Sequence, residues 1–180
     1  MLIRSSHLVL DTCCILNFIA SGHFLSIITS IPAQVMITQT VWQEELIKFE
    51  RFDKSDKQQL DESVNQGVVK LVDFEIEEEY NLFVNYVSLL PKGDGEAASG
   101  AIAIFRNWAI ATDDKNPTKL FRQEKSNMEI LSTPDIIKYW SEKDNLTGQE
   151  IQTVLTSIQV KGKYFPPKNH PLRDWWINSI

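Results

Sequence analysis

The chain has 180 residues, of which 43% are hydrophobic and 23% are charged, and its formal net charge is −6. These values are typical of one globular domain and exclude an intrinsically disordered chain. No apolar run approaches the roughly 20 residues that a membrane-spanning helix needs, so we expect no membrane association. The two cysteines, Cys13 and Cys14, are adjacent and lack the spacing of a zinc site. This cysteine usage favours a reduced, cytoplasmic protein.

Short apolar runs alternate with longer amphipathic runs along the chain. In chain order, the runs predict a strand at residues 7–11, helices at 12–20 and 24–30, a strand at 35–38, helices at 40–50 and 54–65, a strand at 68–74, helices at 77–90 and 96–107, a strand at 108–112, a helix around 117–122, a strand at 128–131, and helices at 133–142 and 147–159. Strands that alternate with helices predict an α/β fold. We expect a three-layer α/β/α sandwich with a central, mostly parallel sheet of about five strands.

The domain is expected to be single and to span residues 1–180. Its last part, residues 161–180, contains several prolines and the pair Trp175 and Trp176. We predict that this extension packs on the body of the domain or on a partner, because large aromatic side chains gain most when they are buried.

Acidic side chains recur close to the ends of the predicted strands. They are Asp11 after the first strand, Glu44 and Glu45 in the helix after the second, Glu96 at the start of the helix before the fourth, and Asp113 and Asp114 after the fourth. Sites in parallel α/β sheets lie at the carboxyl ends of the strands. Carboxylates gathered there repel each other, and a divalent cation relieves that repulsion. Oxygen ligands favour Mg²⁺ or Mn²⁺.

Each of these residues also has a purely structural interpretation. Asp11 before Thr12 is typical of a helix N-cap, and Asp113 with Asp114 is typical of a capped helix start. Glu44 and Glu45 fit a solvated helix face. The metal hypothesis therefore depends on all of these residues meeting at one edge of the sheet.

Four segments of the chain resemble the signature stretches of PIN-domain nucleases and occur in that family's order. They are VLDTCCIL (residues 9–16), ITQTVWQEEL (37–46), GEAASGAIA (95–103) and ATDD (111–114). The resemblance covers roughly residues 7–135. Residues 131–137 are similar to the strand and helix that follow the last acidic stretch in the bacterial branch close to toxin ribonucleases.

The resemblance implies a PIN-like fold and metal-dependent hydrolysis of RNA that leaves a 5′-phosphate and a 3′-hydroxyl. It implies catalytic roles for Asp11, Glu44, Glu96, Asp113 and Asp114. Of these, Asp11, Glu96 and either Asp113 or Asp114 would bind Mg²⁺ or Mn²⁺. The supporting residues would be Thr12, Thr112 and Glu45, with Glu45 as the alternative to Glu44, and the nearest basic side chains for RNA contacts are Lys115, Lys119 and Arg122.

The resemblance also suggests a physiological role, the toxin of a toxin–antitoxin pair, with an antitoxin protein as partner and a homodimer as the expected assembly. The main alternative is a catalytically inactive PIN-like module that acts through protein or nucleic-acid binding. A receiver-like phosphoryl-transfer domain is less well matched, because it would carry an acidic pair near the first strand, where this chain has Asp11 alone.

Overall fold

The computed structural model describes residues 3–46, 54–90 and 93–180, except for the side chains of residues 44 and 45. Five strands form one sheet: β1 (His7–Leu10), β2 (Gln34–Thr38), β3 (Val69–Val72), β4 (Ala109–Ala111) and β5 (Ile130–Leu131). Their order is β3-β2-β1-β4-β5, and every pairing between them is parallel. The predicted α/β class is confirmed, and the described sheet is entirely parallel.

Helices connect the strands and cover both faces of the sheet. They are α1 (Thr12–Ala20), α2 (Phe24–Ser30), α3 (Lys54–Asn65), α4 (Glu77–Leu89), α5 (Asp94–Phe105), α6 (Lys115–Glu124), α7 (Thr133–Lys143), α8 (Gly148–Lys161) and α9 (Arg173–Asn178). The helix expected at residues 40–50 is instead π-helical over Val41–Leu46, and residues 47–50 lie outside the described residues. The helix expected to begin at residue 96 begins at Asp94, so Glu96 lies within its first turn.

The core has two parts, one on each face of the sheet. Leu8 and Leu10 of β1 point into the part covered by α1, α2, α7, α8 and α9, and Val9 points into the part covered by α4, α5 and α6. This arrangement follows from the alternation of side chains along a strand. Both faces of β1 are buried, which is why its sequence reads as a continuous apolar run.

Local capping fixes the starts of the helices that border the sheet's carboxyl edge. Asp11 caps α1, and its side chain accepts a hydrogen bond from the Thr12 N–H. Ser132 and Asp135 form a capping box at α7. After α3, Gly67 adopts a φ of 72°, as expected of a residue that ends a helix in the left-handed conformation. These caps place the first residues of α1 and α7 next to the ends of β1 and β5.

The C-terminal segment, residues 162–180, packs on the body of the domain. Trp176 of α9 is fully buried and belongs to the same apolar cluster as the side chains of α1 and α7. Tyr164 lies edge-on to the Trp176 ring, with 5.8 Å between ring centroids. Within the described ranges, no helix has the length and apolarity that crossing a membrane requires.

Candidate metal centre at the carboxyl edge of the sheet

Asp11 is buried at the end of β1, with 1% of its surface exposed. Its Oδ1 accepts a hydrogen bond from the Thr12 N–H at 2.8 Å, and its Oδ2 accepts one from the Thr112 hydroxyl at 2.9 Å. The Cys13 thiol donates to the same Oδ2 at 3.2 Å. Asp11 and Thr12 also take part in interactions beyond these. The N-cap role is therefore real, and Thr112 links Asp11 to the end of β4.

Asp113 follows β4, and α1 and α7 each supply hydrogen-bond donors to its carboxylate. Its Oδ1 accepts from the Thr133 N–H at 2.8 Å. Its Oδ2 accepts from the Thr133 hydroxyl at 2.6 Å and from the Asn17 amide at 2.9 Å. The Cys14 thiol lies 3.7 Å from the same Oδ2. A carboxylate has about four lone-pair sites, so the protein occupies most of those of Asp113 and leaves it less available to a metal than an open carboxylate.

Burial raises the pKa of Asp113 above its ordinary value, although the hydrogen bonds from Thr133, Tyr164 and Asn17 lower it in part. All of these donors are neutral. In the part of the chain that the structure describes, no cationic side chain pairs with Asp113. Its negative charge is thus solvated by the protein but not neutralised.

Asp114 differs sharply from its neighbour. It is exposed, and its backbone N–H donates to the Thr112 hydroxyl at 3.3 Å. Its carboxylate makes no capping bond to α6 and accepts no hydrogen bond from any described residue. Thr112 thus contacts both Asp11 and Asp114, and the Asp114 carboxylate is more open to an incoming ligand than that of Asp113.

The thiols of Cys13 and Cys14 lie beside these carboxylates at the carboxyl edge of the sheet. A hydrogen bond with Cys14 lowers the pKa of Cys13, but burial and the charges of Asp11 and Asp113 outweigh it and raise the pKa to about 12. Burial likewise raises the pKa of Cys14. Both cysteines are free. Each is therefore a neutral thiol at neutral pH as long as no cation stabilises its thiolate.

Two overlapping groups of side chains have the proximity that a metal site needs. In one group, the ligand atoms of Asp11, Cys13 and Asp114 all lie within 4.8 Å of one another. In the other, those of Cys13, Cys14 and Asp113 do so. The first group is more accessible to a cation, because Asp114 is open to solvent whereas Asp113 already accepts hydrogen bonds from Asn17 and Thr133. Carboxylate oxygens are ligands that hard divalent cations prefer, whereas a cysteine sulfur is a ligand of softer metals.

The remaining predicted carboxylates are less closely placed. Glu96 is half-buried in the first turn of α5, which packs against β1 and β2, and it has an interaction partner. It belongs to neither metal-binding group found among the described residues. Glu44 and Glu45 lie in the π-helical segment Val41–Leu46, but their side chains lie outside the described part of the structure. The choice between them stays a prediction.

A basic face lies immediately beyond Asp114. Lys115, Lys119 and Arg122 are all exposed on α6. Their spacing of four and three residues puts them on one side of that helix. Pro117 and Phe121 of α6 are buried. The helix therefore presents positive charge to solvent beside the carboxylates.

The sequence did not point to Asn17 and Thr133, which donate to Asp113, or to Tyr164, which lies near the same carboxylate. Asn17 is a buried amide in the otherwise apolar α1, and a polar residue in such a helix is a signal that was available. Thr133 begins the helix after β5, so the rule that located Asp11 and Asp114 would also have located it. Tyr164 lies in a segment without regular structure, and no sequence pattern marks it.

Comparison with known proteins adds no assignment. A scan against protein-family models, a search of curated proteins and a search of solved structures each returned no significant match. The functional interpretation therefore depends on the geometry of this edge and on the resemblance of the four short segments.

Proposed function

We propose that this chain is a divalent-metal-dependent ribonuclease whose cation binds between Asp11 and Asp114. The observation that supports this most is their convergence with Cys13, all three ligand atoms lying within 4.8 Å of one another at the carboxyl ends of β1 and β4. Carboxylates placed so closely repel each other unless a cation or a proton intervenes. The resemblance to PIN-domain nucleases implies the same location for a metal.

The neighbouring residues have supporting roles in this proposal. Thr112 orients Asp11 through its hydroxyl and holds the backbone of Asp114. Asp113 anchors the loop after β4 to α1 and α7 without binding the metal itself. When bound, a divalent cation supplies Lewis-acid stabilisation of charge on a phosphate and increases the acidity of water.

RNA as the substrate is supported by the resemblance and by the charge on α6. The exposed side chains of Lys115, Lys119 and Arg122 lie on one face beside Asp114. Basic side chains of this kind neutralise phosphates and position a nucleic-acid backbone without reading its sequence. The metal would offset part of the net charge of −6, which otherwise disfavours a polyanion.

The resemblance to toxin ribonucleases extends the proposal to a physiological role. We propose a cytoplasmic toxin that an antitoxin protein restrains, and the two free cysteines fit that reducing compartment. Induced expression of the wild-type chain is then expected to arrest bacterial growth, and expression of Asp114→Asn is not. Equal arrest by both would contradict the toxin role. The expected homodimer stays a prediction, which light scattering tests.

The direct test is cleavage of a labelled single-stranded RNA by the purified chain. We expect cleavage to require Mn²⁺ or Mg²⁺ and to stop with EDTA. Asp11→Asn and Asp114→Asn should each lower the rate by about 100-fold or more, because the metal stabilises several kcal/mol of transition-state charge. Asn is a good N-cap, so Asp11→Asn should keep α1 intact. The control is Asp61→Asn, on an exposed position of α3.

The outcomes separate the proposal from its alternative. Products with a 5′-phosphate agree with metal-dependent hydrolysis, and products with a 2′,3′-cyclic phosphate contradict it. If Mn²⁺ raises the melting temperature but no RNA is cut, the chain is a metal-binding module without nuclease activity. If Asp114→Asn cuts as fast as the wild type, the assigned site is wrong.

A further inference from the structure

The thiols of Cys13 and Cys14 meet the carboxylate of Asp113 in the second of the two ligand groups. The two sulfurs and a carboxylate oxygen all lie within 4.8 Å of one another. Both cysteines belong to the first turn of α1, whereas Asp113 follows β4 and lies 99 residues from Cys14 in the sequence. The spacing of the cysteines alone does not match a zinc site, because the fold supplies the third ligand from a distant strand end.

The separation of these three atoms is close to that around a bound zinc ion. Zn–S bonds of about 2.3 Å in a tetrahedron put two sulfurs about 3.8 Å apart, and a Zn–O bond of about 2.0 Å gives a slightly shorter sulfur–oxygen distance. Atoms that already lie within 4.8 Å of one another therefore need movements on the order of 1 Å to bind the ion. A shift of that size is small enough for the side chains alone to make.

The hydrogen bonds around this group orient its members as metal ligands. The Asp113 N–H donates to the Cys13 sulfur at 3.2 Å, a contact that stabilises negative charge on that atom. Thr133 and Asn17 donate to the Asp113 carboxylate and fix its orientation. Outer partners of this kind support the affinity of a site for its ion. The Cys14 thiol donates to the Asp113 Oδ2 from 3.7 Å, so a cation between them would replace the thiol proton.

Two sulfurs and one oxygen favour a thiophilic cation over Mg²⁺ or Mn²⁺. When Zn²⁺ binds, Cys13 and Cys14 each release a proton to solvent, and two sulfur–zinc bonds and one oxygen–zinc bond form. Three protein ligands leave the fourth position to water, whereas structural zinc sites have four protein ligands. Cys13 and Asp113 are both partly exposed, so the ion can enter and leave. The group therefore fits an exchangeable ion.

We propose that Cys13, Cys14 and Asp113 form a binding site for Zn²⁺ whose occupancy inhibits the metal centre of Asp11 and Asp114. This role rests on the proposed function. The Cys13 sulfur belongs to both ligand groups, so Zn²⁺ withdraws it from the catalytic cation. The Cys13 thiol also donates to the Asp11 Oδ2 at 3.2 Å, and this hydrogen bond is lost when zinc replaces the proton. The bound Zn²⁺ in addition repels a second divalent cation beside it.

The test uses Cd²⁺ as a spectroscopic probe and Zn²⁺ as the inhibitor, both with the full, reduced chain. Cd²⁺ bound by thiolates absorbs in the ultraviolet. Because Cys13 and Cys14 are the two cysteines of the chain, any such band arises from this pair. We expect one Cd²⁺ to bind per chain with the absorbance of two thiolates. Zn²⁺ should abolish the cleavage of RNA at saturating Mn²⁺.

Two variants separate the zinc group from the catalytic one. Cys14→Ser should raise the Zn²⁺ concentration for half-maximal inhibition about 10-fold or more, because even the loss of an outer partner lowers metal affinity by that factor. Its cleavage with Mn²⁺ alone should stay near that of the wild type. Asp114→Asn should lose cleavage and keep the cadmium band. The control is His23→Gln, which removes an exposed imidazole, another common zinc ligand, and should change neither the band nor the inhibition.

Cys14 is fully buried, so melting curves check that its variants are folded, and Cys14→Ala serves where the serine hydroxyl destabilises the core. A wild type that cuts RNA with Mn²⁺ but gives no cadmium band overturns the inference and leaves the proposed function standing. Equal inhibition of the wild type and of folded Cys14→Ser by Zn²⁺ also overturns it, because zinc then acts at Asp11 and Asp114. A chain that binds Cd²⁺ through two thiolates but cuts no RNA overturns the proposed function and the inhibition with it.

Discussion

Two carboxylates in this molecule are held by several hydrogen bonds each, and they are held in opposite ways. Glu79, in the first turn of α4, is bound by Arg106, whose Nε and Nη2 donate at 2.6 and 2.8 Å. This contact lowers the pKa of Glu79 although burial opposes it. Asp113 is bound only by neutral groups among the described residues, and its pKa is raised. Glu79 is thus paired with a cation, whereas Asp113, beside the candidate metal centre, is not.

The first test of this contrast removes the cationic partner of Glu79. Arg106→Met should lower the free energy of unfolding by about 3–5 kcal/mol, because the charge of Glu79 would remain buried without a partner. Urea denaturation measures the change. Arg122→Met, at an exposed position of α6, is the control and should alter stability little. A loss below about 1 kcal/mol for Arg106→Met would show that the pair behaves as a solvated surface pair.

Replacing Asp113 by a neutral residue should lower the free energy of unfolding less than Arg106→Met does. In Asp113→Asn an amide nitrogen replaces one acceptor oxygen and faces donors from Thr133 or Asn17, which costs about 1–3 kcal/mol for the unsatisfied groups. Asp113 is half-buried and has no cationic partner among the described residues, so removal of its carboxylate charge offsets part of that loss. Urea denaturation of Asp113→Asn beside Asp61→Asn checks the value. If Asp113→Asn destabilises the fold more than Arg106→Met, the contrast between the two carboxylates is wrong.

The smallest effect is the dependence of stability on pH. The pKa of Glu79 is lower in the folded chain than its ordinary value of 4.5. Its contribution to stability is therefore present above about pH 4.5 and is lost as pH falls through the lowered pKa, with a slope of at most about 1.4 kcal/mol per pH unit. Denaturation of the wild type and of Glu79→Gln between neutral and acidic pH measures this. The stability difference between them should shrink on acidification, and a constant difference would contradict the assignment.

Much of the fold could be predicted because its signals are local. The bounds of α1, α2 and α3 follow from apolar periodicity and from adjacent caps, and the structure has them as predicted. The π-helical segment Val41–Leu46 could not be predicted, since its apolar spacing also fits an α-helix. The helix α9 was missed because its six residues are held by the burial of Trp176, a distant contact, and carry no caps or repeat of their own.

The candidate site was predictable only in part, because some of its contacts join residues that are distant in the sequence. Strand ends located Asp11, Asp113 and Asp114, because a parallel sheet brings such positions together. The different environments of Asp113 and Asp114 depend on donors from residues 17 and 133, which the sequence does not connect to Asp113. Adjacent aspartates in one motif thus proved to differ in exposure and in hydrogen bonding.

The hydrogen bonds to Asp113 join parts of the chain that are far apart in the sequence. Asn17 lies 96 residues before Asp113, and Thr133 lies 20 residues after it. Contacts between distant residues form only after the entropy of closing the intervening loops has been overcome. The loop that carries Asp114 is therefore expected to become ordered late in folding, after α1 and α7 have docked on the sheet.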